Sequence, residues 1–199
     1  MKQVLHVGCG SATIKQMTPG FQQGWREIRF DINPDVRPDI VGTTMNMTAV
    51  ADESVDAVYS SHNVEHVYSY QVPSVLKEFR RVLRPDGFLV VTCPDIETVA
   101  KYVAEGKLIE PLYVSPAGPI TPLDILYGHS ASIRNGEEYM AHRTAFTAAT
   151  LTAELRAAGF GMVGMRRQRF DLWAVATRQA VGEPAARQLM AEYLPARPS

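Results

Sequence analysis

The most constraining feature of this sequence is a short apolar segment that ends in two glycines spaced two apart. Residues 3–7 are predicted to form a buried strand, and Gly8-Cys9-Gly10 follows directly. Because glycine lacks a Cβ, such a turn lets backbone approach a ligand closely. About 20 residues later Asp31 ends the next predicted strand, where a carboxylate can accept hydrogen bonds from both hydroxyls of a ribose. Together they predict a nucleoside-containing cofactor at the strand ends.

The first half of the chain alternates strand-like and helix-like segments, which is typical of a parallel α/β sheet. Short apolar strands are predicted at 3–7, 27–31, 39–41, 55–60 and 88–93. A helix near 71–83 has apolar residues at helical spacing. Because only residues 32–38 separate the second and third strands, the early helices are expected to be missing or reduced to a turn.

The end of the chain is predicted to add a helix, two strands and a last helix. Thr147 is a plausible N-cap and Gly159 a plausible C-terminal stop for the first helix. The strands at 162–168 and 172–177 have too few residues between them for a crossover, so they are expected to be antiparallel. The last helix is predicted at 184–193.

Residues 94–146 form a long stretch rich in proline and glycine within a predicted single domain of residues 1–199. This stretch leaves the carboxyl end of a central strand, where open α/β sheets bind ligands. We expect a substrate-covering insertion; a merely structural excursion is the alternative. Tyr113, Tyr127 and Tyr139 lie in it and could line an aromatic or sugar-like acceptor, or serve local packing.

Composition excludes several classes of protein. A net charge of −1 with 21% charged residues argues against nucleic acid and membrane partners. The doublets Arg80-Arg81 and Arg166-Arg167 are predicted to be solvated. Cys9 and Cys93 form no C-x-x-C pair, so neither a metal site nor a disulfide framework is predicted. Without a signal-peptide pattern or a long apolar run, a cytoplasmic location is expected.

The turn also discriminates between cofactors. A dinucleotide-binding turn carries a third glycine that lets a helix pack beneath a pyrophosphate. Thr13 stands at that position, and Pro19-Gly20 interrupts the following segment. A ligand without phosphates is therefore favoured, and an NAD-dependent oxidoreductase is a less favoured alternative.

Four segments occur in a fixed order within residues 4–95 and carry a family resemblance. They are the Val-Gly-Cys-Gly run at 7–10, Phe-Asp-Ile-Asn-Pro at 30–34, the run at 52–67 that contains Glu65-His66, and the run at 76–87 that ends in Arg-Pro-Asp-Gly. In this order they resemble the class I S-adenosylmethionine-dependent methyltransferases, particularly small bacterial, type 11-like members. The resemblance implies S-adenosylmethionine as cofactor. It also implies a three-layer Rossmann-like sandwich with a seven-stranded, mostly parallel sheet of order 3-2-1-4-5-7-6.

The resemblance implies a role for each matching position. Gly8-Cys9-Gly10 would lie against the methionine and ribose portions of the cofactor. Asp31 would bind the ribose hydroxyls, and Ile32 would cover one face of the adenine. Thr44-Met45-Asn46 would form hydrogen bonds with the edge of the adenine, and Ser61-His62 would line the methyl-donor end of the cofactor.

The sequence departs from the family pattern at the first strand and at the adenine edge. His6 stands where the family usually has an acidic residue that contacts the cofactor's ammonium, and a histidine accepts that contact only when neutral. Thr44 replaces an acidic residue common at the adenine edge. Because the chain starts at the first strand, cover over the cofactor is expected from residues 94–146 or from a second subunit in a homodimer.

Methyl transfer is an in-line displacement in which positioning can supply much of the acceleration. A base helps only if the acceptor must lose a proton. His62 and His142 are the predicted catalytic residues, with His66, His129 and Asp95 as further candidates; cofactor packing is an equal alternative for His62. The predicted function is methyl transfer to a small-molecule or sugar-like acceptor. A non-catalytic cofactor-binding regulatory or scaffold protein is the alternative, since His6 is unusual and no base stands out.

Overall fold

The structure is a computed structural model, and it describes residues 1–196. The strands are β1 Lys2–Val7, β2 Trp25–Asp31, β3 Ile40–Val41, β4 Val55–Ser61, β5 Leu83–Pro94, β6 Tyr113–Ser115, β7 Gly118–Ile120, β8 Met162–Gln168 and β9 Asp171–Thr177. The α-helices are α1 Val72–Val82, α2 Ile96–Ala104, α3 Pro122–Tyr127, α4 Ser130–Arg134, α5 Ala148–Ala157 and α6 Glu183–Tyr193. None of these helices is long and apolar enough to cross a membrane.

Seven strands form one sheet in the order β3-β2-β1-β4-β5-β9-β8. The pairs from β3 to β5 are parallel, whereas β9 is antiparallel to both β5 and β8. With β8 and β9 counted as the sixth and seventh strands, this is the order 3-2-1-4-5-7-6, so the predicted fold is confirmed. The strands β6 and β7 pair separately as a small hairpin.

The early crossovers are short, as the sequence predicts. Two three-residue 3-10 helices, Ile14–Gln16 and Pro19–Phe21, connect β1 to β2. A third, Pro34–Val36, connects β2 to β3. Proline is the first residue of the second and third of these 3-10 helices. Its fixed φ suits the first helical position, where the backbone N–H that proline lacks would have no hydrogen-bond partner within the helix. The site edge of the sheet is therefore framed by tight loops.

The two faces of the sheet bury different side chains. Helices α1 and α5 cover one face with aliphatic and phenyl groups, and Leu76, Phe79 and Leu151 are completely buried there. The opposite face is aromatic: Phe21 lies 4.9 Å from Tyr193 of α6 between ring centroids. Burial of rings of this size supplies much of the free energy that holds such layers together.

The insertion at 94–146 is more regular than its composition indicates, because it contains α2, the β6–β7 hairpin, α3 and α4. Asp95, which the sequence offered as a possible base, caps α2 by accepting hydrogen bonds from the Glu97 N–H and the Thr98 hydroxyl. It is completely buried and faces Arg167 at 3.3 Å. Asp95 therefore serves as a helix cap.

Three of the four arginines in the doublets are only partly exposed and bond to the protein, whereas Arg167 is exposed, as the sequence predicts. Arg80 donates to the Gly159 carbonyl, and Arg166 donates to the Pro195 carbonyl. Arg81 pairs with Glu78 at 2.8 Å and also donates to the carbonyls of Met47 and Val50. The planar guanidinium can serve several oxygens at once, so Arg81 fastens the loop before β4 to α1.

The Glu78–Arg81 pair makes stability depend on pH. The hydrogen bond from Arg81 holds the pKa of Glu78 below its usual value, although burial opposes this. A depressed carboxyl pKa adds stability above the unfolded-state pKa, and this contribution is lost as pH falls through the folded-state pKa. Glu78→Gln is expected to lower the free energy of unfolding by about 1–2 kcal/mol at about pH 7 and by less at about pH 4.

Chemical denaturation at both pH values measures this difference, with Glu110→Gln on the exposed insertion as the control. A Glu78→Gln effect that stays constant or grows on acidification would contradict the proposed linkage.

Candidate cofactor site

A cavity of about 730 Å³ opens at the carboxyl ends of β1, β2 and β4. Small-molecule sites in proteins have volumes of about 300–1,000 Å³. Seven of the predicted site residues lie on its wall: Gly8, Gly10, Asp31, Ile32, Thr44, Met45 and His62. The structure thus brings together most of the residues that the sequence singled out.

The turn after β1 has the backbone geometry that only glycine adopts easily. Gly8 and Gly10 have φ values of +63° and +51°. A Cβ on Gly8 would lie 2.2 Å from the side-chain nitrogen of Asn63, whereas a Cβ on Gly10 would meet no atom within 4 Å. Gly8 is therefore required for packing beneath the turn, and Gly10 presents open space to the cavity.

Asp31 is connected to this turn by hydrogen bonds. The Gly10 N–H donates to Asp31 Oδ2 at 2.7 Å, and the Asn33 N–H donates to Oδ1 at 2.8 Å. Asp31 is mostly buried but lies on the cavity wall. Since a carboxylate has about four acceptor positions, two backbone donors leave capacity for a diol.

Arg29 is a residue of the site that the sequence analysis missed. Its guanidinium donates to the Gly10 carbonyl at 2.5 Å and to the Val36 and Arg37 carbonyls at 3.1 and 2.9 Å. One side chain on β2 therefore joins the glycine turn to the loop after β2. No local sequence signal announces this, because its partners lie 7 to 19 residues away.

The wall beyond Asp31 is apolar and open. Ile32 is 57% exposed although its side chain is large and aliphatic. Val36 and Met45 line the cavity nearby, and Thr44 is mostly buried. Asn46 is not on this wall; its side chain accepts the Thr48 N–H and closes a local turn. An exposed isoleucine in a concave surface suits one face of a planar heterocycle.

His6 is placed differently from the prediction, since it does not lie on the cavity wall. Side chains alternate along β1, so Leu5 and Val7 enter one core cluster while His6 points to the opposite face against Tyr59. His6 Nδ1 lies 2.7 Å from Glu27 on β2. Burial lowers the pKa of His6, against the hydrogen bond and charge of Glu27. His6 therefore supports the sheet beneath the turn.

Two further predicted residues, Cys9 and Ser61, also lie behind the wall rather than on it. Cys9 is buried in the turn, and burial raises the pKa of its thiol to about 11, so it stays protonated at neutral pH. Ser61 ends β4 and hydrogen-bonds Tyr59. Both act as structural neighbours of the cavity.

His62 lies on the wall in a strained conformation and is held by two carboxylates. Its φ is +48°, which is unusual for a residue other than glycine. Nδ1 lies 3.2 Å from Glu65 and Nε2 lies 3.7 Å from Asp171. Burial lowers the pKa of His62, but the hydrogen bond and the charges of Glu65 and Asp171 outweigh it and raise that pKa to about 9.

His142, the second predicted catalytic residue, lies outside the wall of the large cavity. It lines a much smaller adjacent cavity together with Glu65 and Phe146. Its Nδ1 lies 2.7 Å from the Ile125 carbonyl oxygen, and its ring centroid is 4.9 Å from that of His66. Burial lowers the pKa of His142, although Glu65 opposes this. His66 itself faces the large cavity.

The insertion supplies the outer part of the wall. Glu137, Tyr139, Met140 and Arg143 line the cavity opposite the sheet. The Asn33 side-chain amide donates to the Tyr139 hydroxyl at 3.1 Å, which bridges the insertion and the loop after β2. By contrast, Tyr113 stacks on Phe170, and Tyr127 is exposed.

Residues 5–91 match the protein family described as methyltransferase domain. The fold is that of the class I methyltransferases. A SAM-dependent methyltransferase from Archaeoglobus fulgidus superposes with a TM-score of 0.56 at 14% identity, over 88% of this chain and 86% of the other. These findings confirm the resemblance to class I S-adenosylmethionine-dependent methyltransferases.

Two other solved structures share this methyltransferase fold. A protein from Pyrococcus horikoshii OT3 gives a TM-score of 0.60 at 15% identity, covering 88% of this chain and 81% of that one. The 1,6-didemethyltoxoflavin-N1-methyltransferase from Burkholderia thailandensis, solved with bound 1,6-didemethyltoxoflavin and S-adenosylhomocysteine, gives a TM-score of 0.55 at 18% identity, covering 89% of this chain and 71% of that one. Among curated proteins, none matches the chain.

S-adenosylmethionine is thus the cofactor that the family match and the fold indicate, and the residues of the cavity wall fit it. The open space beside Gly10, the remaining acceptor capacity of Asp31 and the exposed face of Ile32 suit an amino acid, a ribose and an adenine in turn. A pyrophosphate would instead need a helix N-terminus after the turn. Residues 11–24 contain only three-residue 3-10 helices.

Proposed function

We propose that the protein transfers a methyl group from S-adenosylmethionine to a small-molecule acceptor. The observation that carries the proposal is one cavity whose inner wall holds the glycine turn and Asp31, and whose outer wall comes from the insertion. The cofactor, when bound, supplies a methyl group activated by a sulfonium. Asp31 would accept hydrogen bonds from its ribose hydroxyls, and its adenine would lie against Ile32.

The size and character of the outer wall support a small acceptor. A cavity of about 730 Å³ is within the range of small-molecule sites and has room for an acceptor beside a cofactor. Tyr139, Glu137 and Arg143 offer a hydroxyl, a carboxylate and a guanidinium, which suit a polar or aromatic molecule. The net charge of −1 disfavours a nucleic acid acceptor.

The insertion is the proposed cover of the site, with residues 94–146 acting as part of the single domain. His62 is the proposed catalytic residue, because it lies on the cavity wall between the glycine turn and the insertion. His142 lies behind this wall, so in this proposal it acts through Glu65 and His66 and positions them.

Transfer of isotope-labelled methyl groups to pools of sugars, phenols and amines tests the proposal. Label is expected in the small-molecule fraction. His62→Gln is expected to lower the rate by about 100-fold, because a pKa of about 9 keeps His62 cationic at neutral pH and the variant loses this charge beside the acceptor. His129→Gln, which alters a histidine of the insertion whose ring contacts Ser132, serves as the matched control. Label in protein or nucleic acid alone would overturn the small-molecule acceptor. Saturable cofactor binding without any transfer would favour the non-catalytic alternative.

A further inference from the structure

Three side chains with metal-binding chemistry converge where the turn after β4 meets the end of the insertion. Glu65, His66 and His142 each offer one donor atom, and these atoms lie within 4.8 Å of one another. Two come from adjacent residues and the third from 76 residues further along the chain. All three are buried or half-buried.

Backbone carbonyls orient the two histidines. His66 Nδ1 lies 3.2 Å from the Ala141 carbonyl oxygen, and His142 Nδ1 lies 2.7 Å from that of Ile125. A carbonyl only accepts, so each Nδ1 carries the hydrogen, and in the neutral imidazole Nε2 then keeps the lone pair that can bind a metal. Histidines that bind metals are usually held in this way by a carbonyl or carboxylate at the other ring nitrogen.

Glu65 provides an independent observation that points to a ligand. It is 1% exposed, and its Oε1 contacts His62, whereas Oε2 is buried without a hydrogen-bond partner within residues 1–196. A buried anionic oxygen without a partner is costly. The main-chain oxygen of Glu65 accepts from the Arg143 and Thr144 amides, so the residue is firmly fixed.

The space beside the cluster is the size of a single small group. Glu65 and His142 line a cavity of about 10 Å³, which corresponds to about one water-sized sphere. An apolar ligand would not fit there, and an ion or a water would. The surrounding residues include Ile125 and Phe146, which are both buried.

We propose that Glu65, His66 and His142 bind one divalent transition-metal ion, with Zn²⁺ as the preferred ion. Two imidazole nitrogens and one carboxylate oxygen are a donor set that Zn²⁺ accepts while keeping a fourth position open. Donor atoms of a tetrahedral zinc site are about 3.3 Å apart, whereas these three lie within 4.8 Å of one another. The three side chains would therefore move slightly towards one another when the ion binds. The ion joins the β4 turn to the end of the insertion. The spacing of the two cysteines predicted no metal site, and it could not indicate this one because no cysteine takes part in it.

Equilibrium dialysis of chelator-treated protein against ZnCl₂ tests this inference without any methyl donor or acceptor. One equivalent is expected to bind and to raise the thermal midpoint of unfolding. Glu65→Gln and His142→Ala are each expected to lower zinc affinity by more than about tenfold, whereas His129→Ala should bind as the wild type does. Co²⁺ in place of Zn²⁺ should give visible absorption bands of a four- or five-coordinate site.

Wild-type protein that binds no zinc would overturn the proposal whatever the variants do. Stoichiometric binding that persists in Glu65→Gln and His142→Ala would equally overturn it, because the ion would then lie elsewhere. Far-UV circular dichroism separates loss of binding from loss of folding. If His142→Ala fails to fold, His66→Ala, whose ring faces the open cavity, takes its place.

Discussion

Replacing Asp31 by alanine is expected to lower the affinity for S-adenosylhomocysteine by about 100-fold or more. The variant loses the two hydrogen bonds that the carboxylate is proposed to accept from the ribose, each contributing about 1.5–3 kcal/mol. It also removes the acceptor of the Gly10 and Asn33 amides, which lie 2.7 and 2.8 Å from the carboxylate. Isothermal titration with the purified variant measures the change in dissociation constant.

Asp35→Ala is the matched control, because this carboxylate is exposed on the same loop and lies outside the cavity wall. Asp31→Asn removes the charge of the side chain but keeps its shape. This variant should bind S-adenosylhomocysteine more weakly than the wild type and should be more stable than Asp31→Ala. An Asp31→Ala variant that binds with wild-type affinity would contradict the assigned role of Asp31 as the ribose ligand.

Gly8→Ala is expected to lower the free energy of unfolding by about 2–4 kcal/mol and to abolish cofactor binding. The new Cβ would lie 2.2 Å from the Asn63 side-chain nitrogen and 3.0 Å from its Cβ. The positive φ of +63° adds strain that alanine does not relieve. Thermal unfolding, with an expected fall in midpoint of about 5–15 °C, measures the first effect.

Alanine substitutions at two other glycines separate the cost of backbone strain from the cost of the steric contact with Asn63. Gly24 and Gly10 have positive φ, and a Cβ on either meets no atom within 4 Å. Alanine at each is expected to cost about 1 kcal/mol. Gly10→Ala should also weaken cofactor binding, since Gly10 lies on the cavity wall, whereas Gly24→Ala should not. Equal stability losses for Gly8→Ala and Gly24→Ala would show that the Asn63 contact is relieved cheaply.

The parts of the fold that follow from local pattern could be predicted. Short stretches of sequence are sufficient to predict the glycine turn after β1, the position of Asp31 at the end of β2 and the buried apolar face of α1. The predicted positions agree with the structure. The antiparallel end of the sheet followed from the few residues between β8 and β9. Hydrophobic periodicity and turn chemistry are sufficient for such elements.

The parts that depend on distant partners could not be predicted. His6 has the position of a cofactor ligand along the chain, yet its side chain turns to the other face of the sheet, where Glu27 of the neighbouring strand binds it. The roles of Arg29 and Arg81 depend on carbonyls brought near by the fold. The convergence of Glu65 and His142 requires the insertion to return to the β4 turn, which no window of sequence contains.

The central claim is that the glycine turn and Asp31 hold S-adenosylmethionine rather than a dinucleotide. Isothermal titration of the wild-type protein with S-adenosylhomocysteine and, separately, with NAD tests it most directly. Saturable binding of S-adenosylhomocysteine at one site per chain, with no saturable binding of NAD, is the predicted result. Binding of NAD in preference to S-adenosylhomocysteine, or binding of neither, would contradict the account.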